Sequence, residues 1–298
     1  DLATGSSPAG SDTWSFPGVF VRDVHLGAPP DAFQAAGQDW SLPPLDPLRL
    51  ARDRYRYWIL LLRAAFRHAG ALRIDHILGL MRQYWVPAGF PARGGAQQRL
   101  LLDDLAAITA LESRRARAVV IGEDLGTVPP GFRRRLARWG ILGSSVLLFE
   151  RGRRGEYLPP RRYPSRVLVS ANTHDLPSIR AFFEGADLRL RRRVGAIASD
   201  AALAAEQRVR ERDRAALRRL LEEQGGLPRG HGEAADGRLR GAVHGLLART
   251  PASLVAVSPG DPRGERQPVN LPGIDSSRFP SWTRRISIPL ERPRSDPG

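Results

Sequence analysis

The sequence predicts an α/β protein whose parallel strands are covered by helices on both faces. Short, continuous apolar runs of strand length alternate with segments of helical periodicity, a pattern typical of a buried parallel sheet. Several of these runs end in charged residues, and the carboxyl ends of parallel strands are where barrel and doubly wound enzymes place their chemistry. No Gly-x-Gly-x-x-Gly turn or Walker loop follows a strand, which disfavours a dinucleotide-binding protein.

The secondary structure is predicted element by element along the chain. Residues 1–48 are rich in Gly, Pro, Ser and Asp and are predicted as loop, with turn formers at 29–31 and 43–47. Apolar residues at three- and four-residue spacing predict a helix over 49–69, which ends before Gly70. Strands are predicted at 71–74, 118–121, 145–149, 166–171 and 253–257, helices at 101–111, 127–139 and 187–224, and a Gly-rich loop at 225–236.

The composition narrows the possible classes of function. The 298 residues include no cysteine, which excludes a disulfide scaffold, a thiolate metal site and a cysteine nucleophile and fits a reducing, cytoplasmic location. No apolar run approaches the roughly 18–20 residues of a membrane-spanning helix, so no membrane partner is expected. The net charge is +15, but all 46 basic residues are arginines scattered along the chain, which indicates a GC-rich genome. No nucleic-acid partner is therefore expected, and a polyanion-binding protein stays an alternative.

Three carboxylates that follow predicted strands are the candidates for catalysis. They come with polar neighbours: Asp75 with Arg73 and His76, Glu123 with Asp124, and Asp175 with His174. Glycoside chemistry needs two carboxyl groups at one site, an ionised one beside the anomeric carbon and a protonated one beside the leaving oxygen. Arg73 lies on the same strand face as Asp75, where it would keep that carboxylate ionised. Apolar surroundings and nearby carboxylates would favour the protonated form of Glu123.

Each candidate also has a structural interpretation. A single Asp after a strand is often a helix cap or a loop hydrogen-bonding residue. His76 and His174 could be structural histidines with satisfied hydrogen bonds. No His-x-x-x-His or comparable spacing is present, so no metal site is predicted. The Gly-Ser-Ser segment at 143–145 lacks the Gly-x-Ser-x-Gly elbow, which disfavours a serine hydrolase.

Several segments resemble motifs of the 4-alpha-glucanotransferases, the amylomaltase or disproportionating-enzyme family related to the alpha-amylases. ALRIDH at 71–76 with YWVP at 84–87 resembles the motif of the fourth barrel strand. IGEDLGTVP at 121–129 resembles the fifth-strand motif, and THDLP at 173–177 resembles the seventh. The intervals between the three acids are those expected of the family. Further likenesses are GAPPD at 27–31, GQDW at 37–40, and PVNLPG at 268–273 with the later Trp282.

The resemblance implies a fold as well. The expected architecture is a (β/α)8 TIM-type barrel of the alpha-amylase clan, forming a single catalytic domain over 1–298. Residues 1–48 would follow the third barrel strand, and residues 187–236 would form a helical insertion before the last strand. Members of the family have a segment before the position of Asp1 that holds the first barrel strands. The barrel is therefore expected to be incomplete at its N-terminal side, with the chain a C-terminal portion of the enzyme.

The same resemblance implies roles for the acids. Asp75 would be the nucleophile that forms a covalent glucosyl-enzyme, and Glu123 would act first as general acid and then as base. Asp175 would bind sugar hydroxyls and stabilise an oxocarbenium-like transition state. Such a retaining reaction places the carboxyl groups of nucleophile and acid about 5–5.5 Å apart.

Substrate contacts and activity complete what the resemblance implies. The residues expected to hold and orient the sugar are Arg73, His76, His174 and Trp40, and Tyr84 and Trp85 are further candidates for stacking. The implied activity is transfer of alpha-1,4-glucan segments between maltodextrins, with no cofactor. An inactive glucan-binding fragment and an alpha-1,4-glucan hydrolase remain the alternatives.

Overall fold

The structure is a computed structural model that describes residues 1–30, 36–230, 232 and 236–287. The predicted turn residue Asp31 and parts of the predicted loop at 225–236 lie outside the described residues. The chain divides into two compact units, Asp1–Ser144 and Ser145–Gly298. The single catalytic domain over 1–298 stays a prediction. In the described part of the chain, no helix combines the length and the apolar character that crossing a membrane requires.

The first unit contains a parallel strand pair with helices packed around it. Its helices and strands, in chain order, are α1 (Ser11–Ser15), β1 (Val24–Ala28), β2 (Gln38–Leu42), α2 (Pro47–Arg52), α3 (Arg56–Phe66), β3 (Ala71–Ile74), β4 (Arg82–Pro87), β5 (Ala96–Arg99), α4 (Leu102–Ala116), β6 (Val119–Gly122) and α5 (Phe132–Arg138). β3 pairs with β6 in parallel, with Ile74 opposite Gly122. Leu2 adds a parallel bridge to Ile74, on β3.

The core of the first unit lies around this strand pair. Helix α3 has buried residues four positions apart, Trp58, Leu62 and Phe66, so one side of the helix faces the interior. These residues join one apolar cluster with Leu105 of α4 and Phe132 of α5. The burial of this cluster holds the ends of β3 and β6 in fixed positions, which is what a catalytic site requires of its scaffold.

The predicted helix over 49–69 is wrong in one respect, because it is two helices. Asp46 caps α2 by accepting the N–H groups of Leu48 and Arg49. The chain then breaks at Arg54 and Tyr55, which have φ angles of 51° and 58° in the left-handed region. Neither residue is a glycine, so the break has no compositional signal, and the apolar spacing continues across it.

A second sheet in the first unit was not predicted. Its strand order is β2-β1-β4-β5, and its neighbouring strands are antiparallel. The loop predicted over 1–48 is therefore wrong where it includes β1 and β2. β2 is largely polar and is half-buried only at alternate positions, and β1 is a five-residue strand whose apolar residues are interrupted by His25 and Gly27. They lack the continuous apolar runs from which the buried strands were predicted.

The second unit has a small parallel sheet and a helical cluster. Its elements are β7 (Gly143–Val146), at the boundary between the units, β8 (Val167–Ser170), α6 (Ile179–Glu184), α7 (Ala186–Arg193), α8 (Asp200–Glu223), α9 (Gly237–Ala248) and β9 (Leu254–Ala256). The strand order is β7-β8-β9, and β8 and β9 are parallel. Phe182, Phe183, Leu217 and Leu246 belong to the buried apolar cluster beside them.

Two predictions in the second unit need correction. The helical region expected over 187–224 consists of two helices, α7 and α8, and the Ser199 side chain caps the second by accepting the N–H of Ala202. The strand expected at 145–149 ends at Val146, and 147–149 form a 3₁₀ turn. A continuous apolar run fits a strand and a buried turn equally well, so its composition did not mark the end of β7.

Candidate active site

The ends of β3 and β6 bring Asp75 and Glu123 together. Each acid directly follows its strand, and the Glu123 N–H donates to the carbonyl of Ile74 (2.9 Å). A carboxylate oxygen of each acid and a ring nitrogen of His76 all lie within 4.8 Å of one another. Gly122 makes this approach possible, because a Cβ there would lie 2.5 Å from the Ile77 side chain. The sheet register therefore produces a close pair of carboxyl groups.

Asp75 is surrounded by hydrogen-bond donors. Its Oδ1 lies 2.9 Å from Nη2 of Arg73, and its Oδ2 lies 2.7 Å from Nδ1 of His76. The Thr4 hydroxyl donates to the same Oδ2 at 3.0 Å. Burial by itself would raise the pKa of Asp75, but the bonds and charges of His76 and Arg73, with the Thr4 bond, hold that pKa well below its usual range. Asp75 is thus an ionised carboxylate at neutral pH.

His76 links the two acids through its backbone and its ring. It has a φ of 48°, in the left-handed region, and its N–H donates to Oε2 of Glu123 (2.9 Å). Burial alone would lower the pKa of His76, but the hydrogen bond and charge of Asp75, and the charge of Glu123, raise it. The Trp40 ring meets the imidazole edge to face, with centroids 5.1 Å apart. The left-handed conformation aims the backbone N–H of His76 at Glu123 while its ring faces Asp75.

Glu123 is held by backbone groups and is largely buried. Its side chain is 10% exposed. Oε1 accepts the N–H of Leu125 (2.8 Å), while Oε2 accepts that of His76. Backbone N–H groups fix the orientation of the carboxyl group without the full charge of a guanidinium. The two acids therefore differ in environment: Asp75 lies against Arg73, and Glu123 lies among backbone donors in a buried position.

Asp124 has a structural role beside this pair. It is buried, its Oδ2 lies 2.5 Å from Nε of Arg133, and its Oδ1 accepts the N–H of Ser144 (2.8 Å). These contacts tie the segment after β6 to α5 and to the start of β7. Both carboxylate oxygens of Asp124 are thus committed to fixing the backbone on which Glu123 sits.

In the second unit, Asp175 follows β8 on a loop, and its polar neighbours are an amide and an imidazole. Its Oδ1 accepts from Nδ2 of Asn270 (2.6 Å), and its Oδ2 lies 3.4 Å from Nε2 of His174. The imidazole of His174 in turn lies 5.0 Å from the ring of Trp282, measured between centroids. The Asp175 side chain is 43% exposed. This group presents a carboxylate, an imidazole and an indole to solvent on one loop surface.

A buried aspartate ties down both ends of that loop. Asp261 is fully buried and accepts from Nδ2 of Asn172 at 3.1 and 3.0 Å and from the N–H of Ile179 at 2.8 Å. Nε2 of His244 lies 3.6 Å from its Oδ2. Burial raises the pKa of Asp261 and lowers that of His244. Asn172 and Ile179 bracket the segment that carries His174 and Asp175.

The residues predicted from the sequence thus fall into two clusters. The first unit brings together Asp75, Glu123, Arg73, His76 and Trp40, and the second unit brings together Asp175 and His174. Tyr84 and Trp85 lie on β4 and make local hydrogen bonds, the first to the carbonyl of Ala92 and the second to Gln83.

Sequence reasoning missed Thr4 and Asn270 as contacts of the two aspartates. Asn270 lies in the PVNLPG segment at 268–273, so its motif was a usable signal. Thr4 lies in a Gly- and Ser-rich stretch without periodicity, and nothing in the sequence marks it.

The distances among Asp75, His76 and Glu123 also match those of a metal site. The surrounding groups do not fit a cation. The guanidinium of Arg73 lies against Asp75, and the ring nitrogen of His76 that faces Asp75 carries a proton for that contact. A cation would be repelled by this guanidinium, and a coordinating imidazole nitrogen must be unprotonated, which the nitrogen facing Asp75 is not.

Comparison with known proteins identifies the family. A family model described as 4-alpha-glucanotransferase matches residues 1–290. The 4-alpha-glucanotransferase of Mycobacterium bovis is 42% identical over 100% of this chain, and that of Haemophilus influenzae is 35% identical over 97% of it. The chain spans 40% and 42% of the lengths of these two relatives.

Solved structures agree with the sequence comparison. The amylomaltase of Corynebacterium glutamicum superposes with a TM-score of 0.91 at 36% identity, covering 96% of this chain and 42% of that one. An amylomaltase of Streptococcus agalactiae, solved with acarbose, has a TM-score of 0.66 at 19% identity over 93% of this chain and 50% of that one, which supports the fold alone. The predicted fold class, a TIM-type α/β barrel of the alpha-amylase clan, is confirmed. By this match over nearly its whole length, the chain belongs to the 4-alpha-glucanotransferase family.

Proposed function

We propose that this chain carries the nucleophile and the acid/base of a 4-alpha-glucanotransferase that moves alpha-1,4-glucan segments between maltodextrins. The observation that carries the proposal is the close pair of Asp75 and Glu123, with carboxylate oxygens within 4.8 Å. Retaining glycoside chemistry uses carboxyl groups about 5–5.5 Å apart, whereas inverting chemistry needs about 6.5–9.5 Å to admit a water molecule. The short separation favours a double displacement with a covalent intermediate.

In the first step, an oxygen of ionised Asp75 bonds to the anomeric carbon of the donor glucan. The bond from that carbon to the glycosidic oxygen breaks, and its electron pair goes to the leaving oxygen. Protonated Glu123 gives its proton to this oxygen, so the shortened glucan departs with a free hydroxyl. Arg73 and His76 keep Asp75 ionised for this attack, since their charges lower the pKa of its carboxyl group.

In the second step, Glu123 is a carboxylate and acts as base. It takes the proton from the 4-hydroxyl of an acceptor glucan, whose oxygen bonds to the anomeric carbon while the bond to Asp75 breaks. The two displacements restore the original configuration and return both carboxyl groups to their starting states. We assign Asp175 and His174 to sugar hydroxyls and to the oxocarbenium-like transition state, and Trp40 to stacking against a sugar ring.

Other parts of the proposal concern partners and location. Many arginines of this basic chain are already paired with carboxylates, as in Arg63 with Glu112 and Arg210 with Asp187, which supports a glucan rather than a polyanion as partner. The absence of cysteine supports a reducing compartment, and we propose a cytoplasmic location.

Incubation of the chain with maltotriose, followed by chromatography of the products, tests the proposal. We expect glucose and a ladder of longer maltodextrins, which are absent with Asp75→Asn and with Glu123→Gln. The matched control is Asp103→Asn, because Asp103 is an exposed partner of Arg135 outside the site and its replacement should leave the ladder unchanged.

The other product patterns identify the alternatives. Glucose and maltose without longer products would indicate a hydrolase, because water rather than a sugar would be the acceptor. Binding of maltohexaose by calorimetry without any turnover would indicate a glucan-binding protein. If the chain shows no binding and no turnover, the proposal for this chain is overturned.

A further inference from the structure

We infer that Thr4 is a positioning residue for the nucleophile, fixing the rotation of the Asp75 carboxylate from a separate segment of the chain. This inference rests on the proposed double displacement. The segment is placed by backbone bonds along β3: the Leu2 N–H donates to the carbonyl of Arg73 (2.7 Å), and the Asp75 N–H donates to the carbonyl of Leu2 (3.0 Å). Residues 1–4 thereby run beside the end of β3 and carry Thr4 to the carboxylate.

The Thr4 hydroxyl touches both members of the Asp75–His76 pair. Its Oγ1 lies 3.0 Å from Oδ2 of Asp75 and 3.2 Å from Nδ1 of His76. An ionised carboxylate only accepts hydrogen bonds, so the single hydroxyl proton goes to Asp75. The oxygen lone pairs of Thr4 then face the ring N–H that His76 directs at Asp75. The Thr4 hydroxyl, the Asp75 carboxylate and the His76 imidazole therefore all contact one another, so each group restrains the orientation of the other two.

The two carboxylate oxygens of Asp75 are consequently unequal. Among the described residues, Oδ2 accepts from Thr4 and His76, whereas Oδ1 has its side-chain contact with Arg73. The terminal torsion of an aspartate is broad, so a second donor on Oδ2 narrows the range over which the carboxylate can rotate. With Oδ2 held from two segments, Oδ1 is the oxygen with lone-pair density available, and we assign the attack on the anomeric carbon to it.

The residue type suits this role. Threonine is branched at Cβ and therefore has few side-chain rotamers, so its hydroxyl is held in place before substrate arrives. Thr4→Val keeps the shape and removes the hydroxyl. Thr4→Ser keeps the hydroxyl with less restraint. Thr13→Val is a matched control, because among the described residues the Thr13 hydroxyl bonds to the backbone carbonyls of Ser7, Pro8 and Gly10 and to no side chain.

The test is the rate at which Asp75 is labelled by 5-fluoro-α-glucosyl fluoride, followed by mass spectrometry of the protein and its peptides. In this reaction the C1–F bond breaks, fluoride leaves with the electron pair, and an oxygen of Asp75 bonds to C1. Fluoride needs no proton from Glu123, so the rate reports on the nucleophile. We expect Thr4→Val to label about tenfold more slowly, the effect of one lost hydrogen bond. Thr4→Ser should label within about twofold of the unmodified chain, and Thr13→Val at an equal rate.

Equal labelling of Thr4→Val and the unmodified chain would overturn the inference. No labelling of the unmodified chain would instead contradict the proposed double displacement, and a second measurement then decides the role of Thr4. In ¹⁵N-resolved spectra of the imidazoles, the Nδ1 signal of His76 should move in Thr4→Val and stay in place in Thr4→Ser and Thr13→Val. An unmoved signal in Thr4→Val would overturn the inference without reference to activity.

Discussion

The two carboxylate clusters of this chain are held in place in different ways. In the first unit, charged and hydroxyl groups contact Asp75 directly, and its side chain is 26% exposed. In the second unit, the Asp175 side chain is 43% exposed. The buried Asp261 accepts hydrogen bonds from Asn172 and Ile179, at the two ends of the loop that carries Asp175. The first arrangement fixes the charge state of a carboxylate, and the second fixes the path of a backbone. In the proposed function, the nucleophile Asp75 depends on the former, and the sugar-binding group Asp175 depends on the latter.

The largest effect is expected on stability, when the contacts of Asp261 that hold the Asp175 loop are removed. Asp261→Ala leaves the Asn172 amide and the Ile179 N–H buried without their acceptor, at about 1–3 kcal/mol for each group. We expect the free energy of unfolding to fall by about 3 kcal/mol in a urea titration. Asp275→Ala is the control, because Asp275 is exposed and its side-chain hydrogen bonds to described residues are with Ser277 of its own turn. An unchanged midpoint in Asp261→Ala would mean that the loop is held by other contacts.

Arg73→Met should remove one of the direct contacts to Asp75, with little effect on folding. Arg73 contacts Asp75 and also Asp1, so its removal should free Asp75, the proposed nucleophile, to move and should weaken its ionisation. Misplacement of a catalytic group by about 1 Å costs on the order of 100-fold, and we expect kcat/KM for maltotriose to fall by that factor. Arg63→Met is the comparison, since Arg63 pairs with Glu112 away from the site. Similar losses in the two variants would contradict a specific role for Arg73.

A smaller loss of activity is expected for Asn270→Ala than for Arg73→Met, because Asp175 is the more exposed of the two aspartates. Asn270 donates a single hydrogen bond to Asp175, and one such bond to a charged group contributes about 1.5–3 kcal/mol. Because Asp175 is partly solvated, water replaces much of this contact, and we expect kcat to fall about tenfold with little change in KM. Steady-state kinetics with maltotriose measure both constants. A rise in KM at constant kcat would assign Asn270 to ground-state binding.

The smallest effect concerns pH and a carboxylate outside both clusters. Arg266 and Arg180 lower the pKa of Glu184 from 4.5 to about 2, the Arg266 hydrogen bond being the main cause. A lowered pKa contributes stability above pH 4.5 that is lost as the pH falls through about 2. The Glu184 side chain is partly exposed and its arginine partners are screened by solvent, so we expect less than about 1 kcal/mol. Urea titrations at pH 7 and pH 3 should show a smaller acid-induced loss in Glu184→Gln than in the unmodified chain. Equal losses would mean that other carboxylates dominate acid unfolding.

The parts of the fold that were predictable are those built from apolar runs. β3 and β6 lie within one residue of their predicted positions, because each is a short apolar run, interrupted in β3 by the half-buried Arg73. The antiparallel sheet escaped prediction because its outer strands, β2 and β5, are polar and its inner strands, β1 and β4, are short and have polar or glycine residues among the apolar ones. Such strands differ little from loops in composition. The break at Arg54 and Tyr55 escaped prediction because backbone conformation, rather than residue type, defines it.

The same division applies to the site. The strand-end acids could be found from position and motif, and the same-face spacing of Arg73 and Asp75 led to their contact. Asp261 lies far along the chain from Asn172, and no local pattern connects the two. The contact between Asp261 and Asn172 forms only in the folded protein, so it can be identified from the structure and not from the sequence.

The left-handed backbone of His76 has a consequence for how this protein evolves. Glycine would adopt that φ of 48° without steric cost, and a histidine there gives up on the order of 1 kcal/mol of folding free energy. Only the histidine, however, supplies the ring that binds Asp75. Selection for thermal robustness and selection for the proposed reaction therefore oppose each other at position 76. Compensating substitutions should accumulate in the apolar cores, where robustness can be recovered without loss of turnover.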